Sequence, residues 1–320
     1  MNNKEVYEKT LTFSIRRFLW NFGSLILIIA LAAVGFLVAE RSGNNGLAGL
    51  GIGAVIALIA VGVASHFVSY VFKAGQIAMM TRGVTEGKLP DDVYAEGKKM
   101  VKERFLTVAA YYAATSAIKG IFNQLGRAIT SIGQAVGGDN GGAVGSAVSS
   151  VIQTIVGYLC DCCLGWVFYR KNESSVKATL EGAVLFFKHG KTFFKNMGRV
   201  FGISLVSFLV IGGVFFGITY LITLGFPGAF ENLAEAIRKT AEDAPEYLGD
   251  ANNLMLIASG VMGVLMWNMI HSVFVRPFIL VGVLRNYIES GKNEVISEAD
   301  LNELDKKSVK FKKLHEKANA

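Results

Sequence analysis

The chain has 320 residues, of which 52% are hydrophobic and only 18% are charged, and its mean hydropathy is +0.42. A typical soluble domain is about 25% charged, so this composition argues against an ordinary soluble globular protein. The net charge of +7 comes from basic residues beside apolar blocks, which favours membrane topology and anionic lipid over nucleic acid as its explanation.

The first part of the chain contains two uncharged segments that are long enough to cross a bilayer. Residues 1–17 are polar and basic, and they predict either a short interfacial helix or a solvated tail rather than a cleavable signal. Residues 18–39 and 47–72 carry no Asp, Glu, Lys or Arg, although His66 lies within the second segment before its basic flank. About 20 apolar residues cross the hydrocarbon of a membrane, so both segments are predicted spans.

The middle of the chain contains two segments with polar interruptions. Residues 73–104 hold seven basic residues. Residues 105–127 begin as an apolar run but continue through Lys119 and other polar residues at helical spacing, which by itself predicts either a span or a surface helix. Residues 143–169 are predicted to form a further span, interrupted by Asp161.

The second half predicts two more spans on either side of an acidic segment, residues 225–253. These spans are residues 200–224 and 254–284. A single transmembrane domain is therefore predicted for residues 1–288. Residues 289–320 are predicted to form a Lys-rich cytoplasmic tail with a capped helix.

The distribution of Lys and Arg decides between six spans and the alternative of five. With six spans, 26 of the 32 Lys and Arg residues share one side of the membrane with both termini, four lie on the other side and two lie inside spans. Positive charge is enriched on the cytoplasmic side. We therefore expect an all-α polytopic bundle of about six spans in the cell membrane, with amphipathic interfacial helices and both termini on the cytoplasmic side.

Small residues recur at four-residue spacing along the predicted spans. Gly49 and Gly53 form one such pair, and Gly141 and Gly145 form another. This spacing lets two helices approach closely. It predicts close packing between spans and makes a homo-oligomer reasonable.

The basic segment 170–199 is amphipathic when it is drawn as a helix. Apolar residues that include Leu180 and Phe187 share one face, and basic residues lie opposite. This pattern predicts a helix in the cytoplasmic headgroup layer, either as a lipid-anchored linker, which we favour, or as a lipid sensor or gate. The residues predicted to bind anionic headgroups are Lys177, Lys188, Lys191, Lys195 and Arg199.

Ionisable side chains at apolar depth are the candidates for a solute pathway. Each costs about 2.5–3.5 kcal/mol to insert, so it is expected to face the protein interior, a water cavity or an interface. The predicted pathway or charge network comprises Asp161, Lys119, Arg276, His271 and His66. Asp161 is expected to pair with Lys119 or Arg276. Structural pairing and snorkelling to the surface remain the alternatives to a pathway.

No catalytic or metal-binding signature is found in the sequence. The three cysteines, Cys160, Cys162 and Cys163, lack the second pair of ligands that a zinc site needs, and the four histidines are scattered. Packing within a span is the favoured interpretation of the cysteines. Nucleophile-elbow, zincin and phosphate-loop motifs are absent, so neither an enzyme nor a cofactor is predicted.

Residues 157–313 resemble the C-terminal portion of the choline transporter-like family. The features that carry the resemblance are CDCC at 160–163, the run LEGAVLFFKHGKTFFKNMGRVF, and a last span that ends in HSVF and continues into VLRNYIES. The pattern also resembles uncharacterised bacterial six-span proteins in which two basic amphipathic segments separate pairs of spans. The first resemblance implies a multi-pass membrane protein that moves a choline-like solute, although the chain matches only part of those longer proteins.

Two functional hypotheses follow from the sequence. The first is a transporter or channel for a small solute or lipid-like molecule, supported by the ionisable residues at depth and by Pro277 beside Arg276. The second is a non-transporting membrane-organising or scaffold protein that binds anionic lipid, supported by the basic amphipathic segments.

Overall fold

The computed structural model describes the backbone of residues 1–106, 108–137, 142–195, 197–240 and 245–319. Side chains are described over the same ranges except at residues 47, 66, 69, 108, 125–155, 190–199, 201 and 240. Every regular element in these ranges is a helix, which confirms the all-α class.

The helices follow one another with short connections. The first part of the chain forms α1 Asn3–Arg41, α2 Gly46–Val68, α3 Ala74–Glu86, α4 Val93–Arg104, α5 Val108–Gly137 and α6 Gly142–Tyr169. The second part forms α7 Ser175–Lys195, α8 Met197–Ser207, α9 Gly213–Thr223, α10 Pro227–Thr240, α11 Ala251–Ile270, α12 Arg276–Gly291, α13 Glu298–Lys307 and α14 Val309–Ala318. Three π-helical turns keep α2–α3, α8–α9 and α11–α12 continuous: Ser69–Lys73, Phe208–Gly212 and His271–Val275.

Within the described residues, four helices are long and apolar enough to cross a membrane. They are Asn3–Arg41, Ala48–Glu86, Gly202–Thr223 and Ala251–Gly291. A fifth crossing results if the bent pair Val93–Arg104 and Ala109–Gln124, at 81° to each other, counts as one broken span. The described residues therefore support four or five spans, where the sequence predicts about six.

The difference concerns the predicted spans 105–127 and 143–169. The first corresponds to the second arm of the bent pair, and part of it lies outside the described side chains. The second lies in α6, whose side chains are described only from residue 156 onward, so only the shorter apolar stretch Val156–Tyr169 enters this count. Its apolar side chains are covered by protein, since Leu159 and Val167 are 2% and 0% exposed.

The chain divides into two compact units. The first, here called the packed unit, comprises Met1–Arg16, Phe67–Phe201 and Pro277–Ala320. The second, here called the apolar unit, comprises Arg17–His66 and Gly202–Arg276.

The packed unit has a well-buried core. Large side chains from distant parts of the sequence are almost fully buried in it, including Phe13, Phe105, Phe168, Tyr287 and Phe311. Phe13 and Val6 are fully buried, so the N-terminal residues 1–16 do not form the solvated tail that was one of the two predictions. Two helix N-termini are capped by side chains: Asp92 accepts from the backbone N–H of Ala95 at 2.9 Å, and Ser297 forms a capping box with Asp300, as predicted for the tail helix.

The apolar unit exposes the residues that a soluble protein buries. Leu209 and Leu221 are 63% and 70% exposed, and many other large apolar side chains of this unit are exposed as well. Its helices pack through glycine: a Cβ at Gly35 of α1 would overlap the carbonyl oxygen of Gly49 of α2. A Cβ at Gly53 would overlap the carbonyl of Leu31 in the same way. The close packing predicted from the Gly49 and Gly53 spacing is thus confirmed within the chain.

Candidate functional site

Asp161 lies on α6 in the packed unit and is 3% exposed. Its Oδ1 lies 2.6 Å from Nζ of Lys73, the last residue of the first π-helical turn. The Lys73 side chain is one-third exposed, so the pair links a buried carboxylate to a partly hydrated ammonium group. Sequence analysis named Lys119 and Arg276 as partners of Asp161 and missed Lys73.

The other ionisable candidates are divided between the two units. Lys119 lies on α5 in the packed unit and is exposed, whereas Arg276 begins α12 and is the last residue of the apolar unit. The side chain of His66 lies outside the described residues. Asp161 and Lys119 thus belong to the packed unit, and His271 and Arg276 belong to the apolar unit.

His271 forms a polar contact inside the apolar unit. Its Nε2 lies 3.0 Å from the Ser204 hydroxyl on α8. Trp267, one helical turn earlier, donates from its indole N–H to the Ser207 hydroxyl at 3.1 Å, and its ring lies 5.3 Å from the His271 ring. These paired contacts satisfy polar groups on two apolar helices at once.

The lysines predicted to bind lipid headgroups have protein partners where they are described. Lys177 Nζ lies 3.0 Å from a Glu173 carboxylate oxygen. Lys188 Nζ lies 3.3 Å from Glu294 and 3.2 Å from Asp300, so it ties α7 to the C-terminal segment. The side chains of the other three predicted residues, Lys191, Lys195 and Arg199, lie outside the described residues.

The apolar face of α7 is covered by protein. Leu180 and Ala183 are 2% and 1% exposed, and the Phe186 ring packs edge-on against Phe122 of α5 with centroids 5.2 Å apart. Phe187 is 37% exposed and lies under the ammonium group of Lys307. The same amphipathic pattern serves a membrane surface or a protein core, and here the buried part of the face is unavailable to lipid.

The cysteine cluster belongs to the same core. Cys162 and Cys163 are fully buried, and the Cys163 thiol lies 3.6 Å from the carbonyl of Thr179 on α7. Among the described residues there is no group of three or more side chains placed to hold a metal ion. The structure thus gives the buried cysteines a packing position between α6 and α7.

A cavity of about 520 Å³ lies in the packed unit beside the turn that follows α6. Its apolar floor includes Met100 and Phe168, which are 8% and 2% exposed. Its charged lining consists of three cations and two carboxylates: Arg82, Arg170, Lys171, Glu86 and Glu173.

Ion pairs organise this charged lining. Glu86 is held by Arg82 Nε at 2.8 Å and by Lys171 Nζ at 3.2 Å, which joins α3 to the turn after α6. Arg170 Nη2 lies 3.5 Å from the Glu173 carboxylate within that turn. The cavity is therefore lined by charges that are already paired with each other.

Arg104, at the end of α4, fixes the turn that forms one wall of the cavity. Its guanidinium donates to the carbonyl of Glu173 at 2.6 Å and to the carbonyl of Arg170 at 3.2 Å. Residues 82–86 and 170–173 are far apart in the chain, and sequence analysis did not connect them. The available signal was the i, i+4 pair of Arg82 and Glu86 at the end of an apolar helix.

Comparisons of the chain with protein-family models, with curated proteins and with solved structures find no match. The resemblance to the choline transporter-like family consequently stays a prediction from the sequence. The structure defines the class of protein: an all-α chain whose apolar helices are compatible with an integral membrane protein.

Proposed function

We propose that the protein is a non-transporting membrane protein that anchors a folded helical unit at the cytoplasmic face and binds anionic lipid there. The observation that carries this proposal is the separation of charge from the spanning helices. Residues 18–39, 47–72, 202–224 and 251–275 contain no Asp, Glu, Lys or Arg. Asp161 and Lys119, expected at membrane depth, belong to the packed unit. An ion pathway through spans without charge would depend on weaker polar groups.

The distribution of positive charge supports a cytoplasmic packed unit. If the four helices found by length and hydropathy cross the membrane, the N-terminus, residues 67–201 and the C-terminus share one side. That side carries 28 of the 32 Lys and Arg residues, Arg276 lies within a spanning helix, and the other side carries Arg41, Arg238 and Lys239. This asymmetry is stronger than with six spans, and it supports the proposal that both termini of a cell-membrane protein are cytoplasmic.

Helix α4 and the residues after it supply the lipid-binding surface in this proposal. Lys98, Lys99 and Lys102 are exposed on α4. Leu106, at the bend between α4 and α5, is 89% exposed. Each Lys or Arg near an anionic membrane surface contributes about 1 kcal/mol of attraction, and a neighbouring apolar side chain adds insertion. The chemistry of this patch fits an anionic bilayer better than water.

A fluorescent probe at Leu106 tests this assignment. Leu106→Cys, in a Cys160→Ser background, would carry an environment-sensitive fluorophore in nanodiscs of phosphatidylcholine with or without phosphatidylglycerol. We expect blue-shifted emission, and quenching by spin-labelled lipid, only when phosphatidylglycerol is present. Lys98→Glu combined with Lys102→Glu should abolish the response, because the patch then repels anionic lipid.

Val295→Cys provides the matched control. Val295 is another apolar residue of the packed unit with 84% exposure, but it follows Glu294 in sequence rather than a lysine cluster. Its label should report water in both kinds of nanodisc. Equal responses at the two positions, or none at Leu106, would count against lipid binding by α4.

Transport remains a second candidate because of the polar contacts around His271. The π-helical turns Phe208–Gly212 and His271–Val275 lie in or next to the helices that form these contacts, and such turns are frequent at functional sites. Flux of labelled choline in proteoliposomes tests this candidate. Flux that is lost in His271→Phe would favour transport, whereas the absence of flux with the probe response retained would favour the anchor.

A further inference from the structure

We propose that the cavity beside Lys171 binds a small molecule that carries an oxyanion, a phosphate or a carboxylate, on an apolar body. Lipid binding by α4 and this cavity use different residues, so each can fail without the other. The cavity volume of about 520 Å³ lies within the range of pockets that hold small organic ligands. The buried floor formed by Met100 and Phe168 would accept the apolar body.

The charges of the lining favour an anionic group. Three cations and two carboxylates line the cavity. Behind this lining, Arg104 and Lys177 balance the carboxylates of Glu96 and Glu181, so an excess of one cation remains. Two of these cations are also anchored to carboxylates that do not line it: Arg82 pairs with Glu96 at 3.0 Å, and Arg170 pairs with Glu181 at 2.9 Å. These contacts hold both guanidinium groups in place, which reduces the ordering cost of binding.

Lys171 is the cation that is able to move toward a ligand. Its side chain is 59% exposed and contacts Glu86 at 3.2 Å. Glu86 would still be paired with Arg82 at 2.8 Å if Lys171 turned away. Lys171 can therefore exchange a shared carboxylate for the oxyanion of a ligand without leaving a charge unpaired.

The wall of the cavity is formed in advance. Arg104 holds the turn from Arg170 to Glu173 through two backbone carbonyls, which leaves Lys171 between two fixed positions. A preformed wall spends less binding free energy on ordering a loop. The site thus combines an apolar floor, two fixed guanidinium groups and one adjustable ammonium group.

Trp166 supplies the means of detection. Its ring lies 5.1 Å from the ring of Tyr169, which lines the cavity, and the chain has three tryptophans. Trp20→Phe combined with Trp267→Phe leaves Trp166 as the reporter. The probe is phenyl phosphate, titrated into the full chain in nanodiscs of phosphatidylcholine, with phenol as the ligand that lacks the oxyanion.

The matched variants are Lys171→Gln and Lys177→Gln. Lys177 is 58% exposed and pairs with Glu173, as Lys171 pairs with Glu86, but it does not line the cavity. Loss of one charge-assisted hydrogen bond should weaken phenyl phosphate binding about tenfold in Lys171→Gln. Lys177→Gln should remain within about twofold of the parent, because its ammonium group contributes no ligand contact.

Saturable quenching by phenyl phosphate but not by phenol, weakened by Lys171→Gln alone, supports the proposal. The absence of saturation up to about 10 mM, the weak limit of specific binding, would overturn it. An equal response to phenol, or equal effects of the two variants, would overturn it as well. The circular dichroism spectrum of each variant establishes that the helices are intact.

A competition experiment distinguishes the two sources of the oxyanion. Phosphatidic acid added to the nanodiscs would raise the apparent Kd for phenyl phosphate if a lipid headgroup reaches the cavity. An unchanged Kd would assign the site to a soluble phosphate or carboxylate. Both results require the saturable response to phenyl phosphate, so the proposal itself is decided by the first titration.

Discussion

Leu284 of α12 and Leu221 of α9 are the same residue type, and both lie in helices that are long and apolar enough to cross a membrane, but their surroundings are opposite. Leu284 is 0% exposed in the packed unit, and Leu221 is 70% exposed in the apolar unit. The same contrast in exposure holds for most large apolar side chains of the two units. Hydropathy measures how apolar a helix is, whereas burial in the folded chain depends on which helices it meets.

Leu→Ala at these two positions should give the largest difference between the units. Leu284→Ala removes buried contacts and leaves a cavity, so it should lower the free energy of unfolding by about 2–5 kcal/mol. Leu221→Ala should have little effect, because lipid tails are as apolar as leucine and solvate the helix in both states. Denaturant titration in nanodiscs measures both values. Similar losses would mean that α9 is packed against protein rather than lipid.

Glycine substitutions sharpen the comparison inside the apolar unit. A Cβ at Gly35 would overlap the Gly49 carbonyl, whereas a Cβ at Gly51 would meet nothing within 4 Å. Gly35→Ala should therefore cost about 1–3 kcal/mol through overpacking between α1 and α2. Gly51→Ala should be neutral or slightly stabilising, since alanine favours helix more than glycine does.

The control for both variants is the mobility of a spin-label pair across α1 and α2. Gly35→Ala should increase the distance between the two labels, and Gly51→Ala should leave it unchanged. If both variants behave like the parent, glycine packing does not hold this helical hairpin together.

Replacing a carboxylate by an amide compares the contribution of a buried ion pair to stability with that of an exposed ion pair. Asp161→Asn leaves Lys73 without its buried counter-charge, and since Lys73 is one-third exposed we expect a loss of about 1–3 kcal/mol, below the cost for a fully buried pair. Glu235→Gln, in an exposed i, i+4 pair with Lys239 of the apolar unit, should cause no measurable change in stability.

The same Asp161 variant tests the role of this residue in transport. A pathway residue would alter flux while leaving the unfolding curve unchanged. The position of Asp161 in the packed unit predicts the reverse, a lower unfolding midpoint and unaltered flux.

Much of the helical architecture was predictable, because span length and capping depend on local sequence. The uncharged runs before Glu40 and after Phe201, the Asp92 cap and the Ser297 capping box all follow from residues a few positions apart. Glycine spacing likewise predicted the approach of α1 to α2 at Gly49.

Pairings between distant segments were not predictable in the same way. Lys73 meets Asp161, and Glu86 meets Lys171, across separations of about 85 residues that no local pattern encodes. The apolar face of α7 was assigned to the headgroup layer because an amphipathic stripe looks the same whether lipid or protein covers it. Only the fold shows that Phe122 covers Phe186.

The smallest expected effect concerns Asp300, which joins the C-terminal segment of the packed unit to Lys188 of α7. Hydrogen bonds from the backbone and side chain of Ser297 hold the pKa of Asp300 below its ordinary value of 3.8, and Lys188 contributes further. A lowered pKa in the folded state stabilises that state above the unfolded pKa, and the stabilisation is lost as pH falls through the folded pKa. Asp300→Asn should therefore lower stability by about 0.5–1 kcal/mol at about pH 7 and by progressively less below about pH 4.

Thermal melts followed by circular dichroism measure this difference, with Glu303→Gln, which removes only an exposed i, i+4 pair, as the control. A difference that persists undiminished at low pH would show that the Asp300 carboxylate is not the origin of the stabilisation.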